Sequence, residues 1–270
     1  MIYEKIRLDE NDETVFLEVY APDKIPSLTR DAILVIPGGA YGQVCHDREG
    51  EPIAMAFLNH SFASFVLHYS VKEECVFPMQ LIQASKAMKH IKDNAEKYGI
   101  NPERVFAAGF SAGGHLAGCL GNMWNLDSVK KAIGGECGYN KPAGVMLIYP
   151  VVSGDREITH EWSMRNLLGS ENPTDEEGLM VSLEENIGEH SAPAFIFHTV
   201  ADQSVNVLNS IRLIGAYNKA GVMYEAHIFP NGPHGMALAN EITRTDVPEF
   251  YDEAMSKWVE LAVLWSKKVK

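Results

Sequence analysis

The sequence lacks any apolar run long enough to cross a membrane, and its first residues carry no basic-then-apolar signal-peptide pattern. Cysteine is scarce as well: the chain has four cysteines in 270 residues, with no Cys-X-X-Cys pair and no metal-ligand spacing. These absences argue against a membrane protein, a disulfide-stapled secreted domain and a structural zinc site. We therefore predict a cytoplasmic protein without disulfides, metal or other cofactor, in which Cys45, Cys75, Cys119 and Cys137 stay unpaired.

Basic residues are in the minority, with 23 Lys and Arg against 36 Asp and Glu and a formal net charge of −13. A surface of this sign repels phosphate groups, so nucleic acid and anionic membranes are not expected partners. Hydrophobic residues make up 46% of the chain, which is ordinary for a globular protein, and 270 residues can bury one large core. No repeat, low-complexity tract or linker divides the chain. We predict a single domain over residues 1–270 and leave a homo-oligomer open.

Strand-like and helix-like segments alternate along the chain, which predicts an α/β fold. Two alternating segments joined by the polar stretch 9–13 predict an antiparallel hairpin at a sheet edge. Solid apolar runs such as 32–36 predict strands covered on both faces. The predicted strands are 2–8, 14–20, 32–36, 63–69, 104–108, 145–149, 194–198 and 224–229. The alternation requires a mostly parallel eight-stranded sheet with helices on both faces.

Helical patterns and a polar insertion complete the predicted fold. The predicted helices are 51–60, 78–98, 207–220 and 247–267. The last of them is expected to turn Phe250, Ala254, Trp258 and Leu261 inward. The stretch 153–191 follows the sixth strand, is mostly polar and shows no strong strand pattern. We predict that it is a short insertion, with short helices lying over the sheet edge as a lid.

The segment Gly109-Phe110-Ser111-Ala112-Gly113 follows a buried strand and precedes a small, apolar, helix-like stretch. Glycine and serine are common in ordinary turns, but strand, Gly-X-Ser-X-Gly and helix is the context in which this motif presents a nucleophilic serine. In so tight a turn a Cβ atom at position 109 or 113 would collide with neighbouring backbone. The turn also places the serine at the positive N-terminal end of the helix. We predict that Ser111 is the nucleophile of a hydrolase.

A serine hydroxyl becomes a good nucleophile only beside a base that a third group holds in place. In a parallel sheet such groups gather where the strands end. His234, alone among the ten histidines, follows the last strand in a glycine-rich loop, and Asp202 follows the strand before it. The order Ser111, Asp202, His234 is the one expected of this kind of hydrolase.

Two other carboxylates compete with Asp202 for the role of the acid. Asp155 follows the strand that ends at residue 149, where some relatives of the fold place it. Asp246 lies beside Val247 and Pro248 at a predicted helix start, where an aspartate has an ordinary capping role. Asp202 itself could serve only as a turn or cap residue. We favour Asp202 because its strand directly precedes the strand that delivers His234.

An oxyanion hole needs backbone N–H groups aimed at developing negative charge. The segment Pro37-Gly38-Gly39-Ala40 follows an earlier strand, and its glycines permit close approach. Its plainer interpretation is a tight loop at the sheet edge. We predict N–H donors at Ala112 and Gly39, with Ala40 as a third.

Five segments in this order resemble the small α/β-hydrolase esterases known as acetyl esterases, acetylxylan esterases and feruloyl esterase-like proteins. The segments are 37–41, 109–117, 149–151, 198–202 and 232–235. The resemblance implies a single-domain α/β-hydrolase fold and a serine esterase for short acyl esters, with acetyl groups on sugars among the expected substrates. The N-terminal stretch looks too short for the helical cap of hormone-sensitive-lipase-like relatives. We therefore do not expect lipid-like substrates.

The sequence leaves the substrate open. Tyr41, His46, Trp124 and Trp162 are candidates for stacking on a sugar ring, although aromatic side chains in such places more often pack in the core. An arylformamidase and a small-peptide hydrolase are alternative activities. A non-catalytic hydrolase fold that binds a partner is a further alternative, which the complete set Ser111, Asp202 and His234 argues against.

Overall fold

The computed structural model describes residues 1–71, 75–136 and 138–270. Its strands are β1 (Ile2–Arg7), β2 (Phe16–Ala21), β3 (Arg30–Ile36), β4 (Ala63–His68), β5 (Ile100–Phe110), β6 (Val145–Ile148), β7 (Ala194–Thr199) and β8 (Tyr224–Phe229). They form an eight-stranded sheet in the order β1-β2-β4-β3-β5-β6-β7-β8. β2 runs antiparallel to both β1 and β4, and the other neighbours are parallel. The predicted mostly parallel sheet is confirmed.

The α-helices of the described residues cover both faces of this sheet. They are α1 (His46–Glu49), α2 (Glu51–Asn59), α3 (Met79–Asp93), α4 (Ala95–Tyr98), α5 (Ala112–Asn122), α6 (Asp127–Ile133), α7 (Glu161–Leu168), α8 (Asp175–Val181), α9 (Leu208–Ala220) and α10 (Trp258–Ser266). α3, α5 and α9 pack on one face, where Met88, Leu116 and Leu213 are fully or almost fully buried. α2 and α10 pack on the other around Phe57 and Trp258. Solid apolar strands such as β3 are buried because helices cover both of their sides.

Two predicted helices are shorter than their patterns suggested. The segment 78–98 breaks at Asn94, whose side-chain amide donates to His90 O at 2.8 Å and so competes with the helical ladder. The segment 247–267 contains two 3₁₀ turns, Pro248–Phe250 and Met255–Lys257, and becomes α-helical only at Trp258.

The first part of the segment 247–267, before Trp258, is not α-helical because its backbone groups form hydrogen bonds with other parts of the protein. The Asp252 N–H donates to Ala239 O at 3.0 Å instead of continuing a helix. The Asp252 carboxylate then accepts from the N–H of Met255 at 2.8 Å. The predicted inward stripe holds for Trp258, which is fully buried, whereas Ala254 is exposed and Phe250 and Leu261 are half-buried.

The stretch 153–191 follows β6 and contains α7, α8 and a 3₁₀ turn at Glu184–Asn186. It is less peripheral than predicted. Val181 and Leu183 are fully buried in the core, and Leu183 lies so close to α5 that a Cβ on Gly118 would meet its Cδ1 at 2.4 Å. The stretch therefore packs against the helix that follows Ser111.

Among the described residues, no helix combines the length and apolar character needed to cross a bilayer. Cys45 and Cys119 are free thiols, and Cys119 is fully buried. Cys137 lies outside the described residues.

Candidate active site

Ser111 occupies a sharp turn between β5 and α5, with backbone angles φ 53° and ψ −119°. The turn is compatible only with small neighbours. A Cβ on Gly109 would lie 2.1 Å from Gly113 O, and a Cβ on Gly113 would lie 2.1 Å from Ile36 O. The strained turn therefore holds the Ser111 hydroxyl at the N-terminal end of α5, an eleven-residue helix whose dipole favours negative charge there.

The structure brings Ser111, His234 and Asp202 together across three loops at one edge of the sheet. His234 Nε2 lies 2.8 Å from Ser111 Oγ, and His234 Nδ1 lies 2.7 Å from Asp202 Oδ2. Because a carboxylate only accepts, Nδ1 carries the proton and Nε2 accepts from the serine hydroxyl. This is the arrangement in which imidazole acts as a general base.

The Asp202 carboxylate has further hydrogen-bond partners besides His234. Its Oδ1 accepts from the N–H groups of Ser204 and Val205, both at 2.9 Å. His198 Nε2 lies 3.3 Å from Oδ2. Burial acts to raise the pKa of this carboxyl, but hydrogen bonds from His198 and His234 outweigh it and hold the pKa well below its usual range. Asp202 therefore stays ionised beside the imidazole.

The other candidate acids lie elsewhere. Asp155 forms an ion pair with Arg212, with 2.6 Å between Oδ2 and Nη1. Asp246 is exposed. Neither is hydrogen-bonded to His234 in the described part of the chain.

The predicted oxyanion donors lie beside Ser111. Gly39 and Ala40 line the same cavity as Ser111 and His234, and Ala112 is the first residue of α5. The loop is unusual because Gly39, Ala40 and Tyr41 all have positive φ. The N–H groups of Gly39, Ala40 and Ala112 donate to no acceptor among the residues described. They are free to bind a developing oxyanion.

Of the four predicted sugar-stacking residues, only Trp162 lines this cavity, and its side chain is 56% exposed. Tyr41 is buried in the core, where its hydroxyl donates to His115 Nδ1 at 2.7 Å. His46 Nε2 donates to Glu18 Oε2 at 2.6 Å. Trp124 follows α5 and donates to His190 O. The prediction is corrected for these three, since their polar groups and rings are engaged outside the cavity.

The cavity also contains residues that the sequence did not single out. It has a volume of about 200 Å³ and includes Arg48, Glu49 and His160. Arg48 donates to Gly235 O at 3.2 Å, next to His234. His160 is the N-cap residue of α7, and its Nδ1 lies 2.8 Å from the Ser163 hydroxyl oxygen. The only signal for Arg48 and Glu49 was a charged pair close to the glycine turn, in a stretch without a predicted element.

Glu49 connects the oxyanion loop to the histidine loop. Its Oε2 accepts from the N–H of Gly38 at 2.8 Å, and its Oε1 accepts from the Tyr149 hydroxyl at 2.9 Å. The Tyr149 oxygen in turn accepts from the N–H of Ala237, three residues after His234. Burial raises the pKa of the Glu49 carboxyl, while the Gly38 N–H acts against this rise. One carboxylate thus holds two loops in register.

We expect Glu49→Gln to lower kcat about tenfold and the free energy of unfolding by about 1–3 kcal/mol. An amide cannot accept from both Gly38 and Tyr149, so one buried donor loses its partner. The exposed Glu51, at the start of α2, offers the matched control Glu51→Gln. Ester hydrolysis and thermal melting of both variants provide the measurement. Equal kcat values in the two variants would show that Glu49 does not position the loop.

The comparisons with known proteins agree with this geometry. The BD-FAE family model matches residues 17–216. Endo-1,4-beta-xylanase B of Butyrivibrio fibrisolvens is 38% identical over 216 residues, which cover 78% of this chain and 33% of that protein. An acetylxylan esterase of Xylanibacter ruminicola is 29% identical over 211 residues, covering 77% of this chain and 41% of that protein. The chain therefore spans about a third to two-fifths of these curated relatives.

Solved structures match over the whole length. The acetyl ester-xyloside bifunctional hydrolase from Caldicellulosiruptor lactoaceticus superimposes with a TM-score of 0.83 at 30% identity, covering 98% of this chain and 96% of that one. MGS-M1, an alpha/beta hydrolase enzyme from a Medee basin deep-sea metagenome library, gives a TM-score of 0.80 at 31% identity, covering 100% and 98%. The fold is therefore that of the α/β-hydrolases.

Proposed function

The chain belongs to the BD-FAE family, among the serine esterases of the α/β-hydrolase superfamily, and we propose that it hydrolyses short-chain acyl esters through Ser111, His234 and Asp202. One observation carries the proposal: the continuous hydrogen-bonded chain from Ser111 Oγ through His234 to Asp202, at 2.8 and 2.7 Å. No other histidine of the described residues lies within hydrogen-bond reach of the Ser111 hydroxyl.

Each residue has a distinct part in the proposed reaction. His234 Nε2 takes the Ser111 proton as Oγ attacks the ester carbonyl, and the resulting oxyanion binds the N–H groups of Ala112, Gly39 and Ala40. Protonated His234 then gives its proton to the leaving alcohol, which leaves an acyl group on Ser111. A water molecule, deprotonated by His234, hydrolyses this acyl-enzyme. Asp202 remains ionised throughout and stabilises the imidazolium.

We propose acetyl groups on carbohydrates as the substrate class. The printed names of the acetylxylan esterase and the acetyl ester-xyloside hydrolase support this choice. The exposed face of Trp162 at the cavity adds a surface on which a sugar ring can stack. A small-molecule ester is the only partner that this proposal requires. A cytoplasmic location stays a prediction of the sequence.

A substrate panel tests the proposal against its alternatives. p-Nitrophenyl acetate, acetylated xylo-oligosaccharides, N-formylkynurenine and short peptides are compared by kcat/KM, and a fluorophosphonate probe reports whether Ser111 reacts. We expect labelling and the highest kcat/KM with the acetyl esters. Preference for N-formylkynurenine would indicate an arylformamidase, and absence of labelling would indicate a binding protein.

Trp162→Ala should separate sugar binding from ester chemistry. We expect kcat/KM for acetylated xylo-oligosaccharides to fall about tenfold, equivalent to about 1.4 kcal/mol, with little change for p-nitrophenyl acetate. Trp124→Ala, a change of the same size outside the cavity, serves as the control. Equal losses on both substrates would argue that Trp162 acts on the fold and not on the sugar.

Short acyl chains should be preferred. The cavity of about 200 Å³ leaves little room for a long apolar tail. In an extended groove each buried methylene would contribute about 0.8 kcal/mol and kcat/KM would rise with length. We expect kcat/KM to fall from p-nitrophenyl acetate through butyrate to octanoate. A steady rise along this series would contradict the proposed specificity.

A further inference from the structure

A second cluster of ionisable side chains lies at the same edge of the sheet, outside the cavity of Ser111. It consists of Glu18 on β2, His46 at the start of α1 and His68 at the end of β4. β3 and β4 separate β2 from β5, the strand that leads to Ser111. Three distant stretches of the sequence therefore meet at one point, so the sequence-based argument from missing metal-ligand spacing does not apply to this cluster.

The three donor atoms are close enough to share a metal ion. His46 Nε2 lies 2.6 Å and His68 Nε2 lies 3.5 Å from Glu18 Oε2, and all three atoms lie within 4.8 Å of one another. A tetrahedral Zn²⁺ ion with bonds of about 2.0–2.2 Å separates its ligand atoms by about 3.3 Å. Side-chain adjustments of about 1 Å bring the cluster to that spacing.

His68 supplies an independent observation. Its Nε2 is buried, and its contact with Glu18 Oε2 at 3.5 Å lacks hydrogen-bond geometry, so the atom has no proper hydrogen-bond partner among the described residues. The ring is fixed, because it stacks on Phe16 with 4.0 Å between centroids and lies 4.8 Å from the ring of His46. A buried polar atom without a partner is costly, and a coordinated metal ion would satisfy it.

The chemistry of the donors selects the metal. Two imidazole nitrogens and one carboxylate oxygen suit Zn²⁺, whereas Ca²⁺ and Mg²⁺ prefer oxygen ligands alone. Glu18 is 3% exposed, and its second oxygen, Oε1, is held by Lys5 at 2.7 Å. That outer contact orients the carboxylate. The Tyr20 hydroxyl donates to Oε2 at 3.3 Å, which is a long hydrogen bond and leaves a lone pair of this oxygen for the metal. Lys5 is more than half exposed, so its ammonium can withdraw from the added positive charge.

We propose that Glu18, His46 and His68 form a Zn²⁺ site, with water as the fourth ligand. The site lies off the reaction path of Ser111, so ester hydrolysis continues after extended treatment with EDTA. Its effect is structural, because His46 begins the helix that carries Arg48 and Glu49. Bound Zn²⁺ braces that helix against β2 and β4 and raises the melting temperature as its concentration rises.

Zn²⁺ binding to the untagged, chelator-treated protein tests the site without any substrate. Isothermal titration should give one ion per chain, and Co²⁺ should give the visible absorption of a tetrahedral complex. We expect His46→Gln and His68→Gln each to weaken Zn²⁺ binding at least about 100-fold. His60→Gln, which changes a histidine outside the cluster, should bind as the wild type does.

If a variant fails to fold, the wild-type protein alone still tests the Zn²⁺ site. Zn²⁺ should protect the partly exposed His46, but not His60, from modification by diethyl pyrocarbonate, as read by mass spectrometry. Absence of stoichiometric binding, or equal modification with and without Zn²⁺, overturns the site. So does unchanged binding in a folded His46→Gln or His68→Gln variant. None of these results bears on the role of Ser111.

Discussion

Ser111→Ala is expected to lower kcat for ester hydrolysis by about 10⁴- to 10⁶-fold while the protein stays folded. The change removes the only hydroxyl on His234 Nε2 in the described structure, so no oxygen remains to form the acyl-enzyme. The residues of such a triad act as a unit, and the oxyanion donors alone retain only a small residual rate. Alanine keeps the Cβ atom in the strained turn, so the backbone is not perturbed further.

Ser64→Ala provides the matched control. Ser64 is fully buried in β4, and its hydroxyl has no hydrogen-bond partner within the residues described. Its removal should leave both kcat and the melting temperature close to the wild-type values. The measurement is p-nitrophenyl acetate turnover, together with fluorophosphonate labelling of each variant. A Ser111→Ala enzyme within tenfold of wild type would overturn the serine-esterase mechanism.

Asp202→Asn should lower kcat at least about 10²-fold; the same substitution in a serine protease lowers it about 10⁴-fold. If the amide oxygen keeps the two backbone N–H groups of Ser204 and Val205, its NH₂ group faces His234 Nδ1. His234 must then accept at Nδ1 and carry its proton on Nε2, where it can no longer take the serine proton. If the amide turns around, both backbone donors lose their acceptor.

Asp155→Asn and Asp246→Asn are the matched controls for the acid. Asp155 is committed to Arg212 and Asp246 is exposed, so both variants should remain close to wild type in kcat. Comparison of the three variants at saturating p-nitrophenyl acetate, with melting curves, completes the test. If Asp155→Asn is the inactive variant, the acid has been misassigned, although the assignment of Ser111 and His234 would stand.

The sequence predicted best where chemistry follows topology. Ser111, Asp202 and His234 each follow a parallel strand, and neighbouring parallel strands end at the same edge of the sheet. Their proximity could therefore be inferred without coordinates. Strands such as β3 could likewise be located in the sequence, because an uninterrupted apolar run is typical of strands buried on both faces.

The sequence did not predict the positions of residues that depend on how a loop folds back onto the rest of the protein. Glu49 reaches Gly38 because α1 folds against the glycine turn, and no periodic pattern encodes that approach. Tyr41 follows the same turn, but its backbone has a positive φ, and its ring is buried against His115 instead of facing the cavity. Glu18 and His68 lie in strands, and no motif in the sequence singled out either residue. Such contacts are tertiary and leave no local signal.

The contact between α7 and the oxyanion loop bears on how this enzyme could be re-engineered. Asn166 on α7 donates to Ala40 O at 2.8 Å, and Trp162 on the same helix faces the cavity. A transplanted 153–191 segment from another esterase would thus bring a new cavity wall and a new anchor for the oxyanion loop together. Chimeras that retain an asparagine at position 166 should tolerate the exchange better than those that lose it. Leaving-group preference and turnover would then change together when this segment is exchanged.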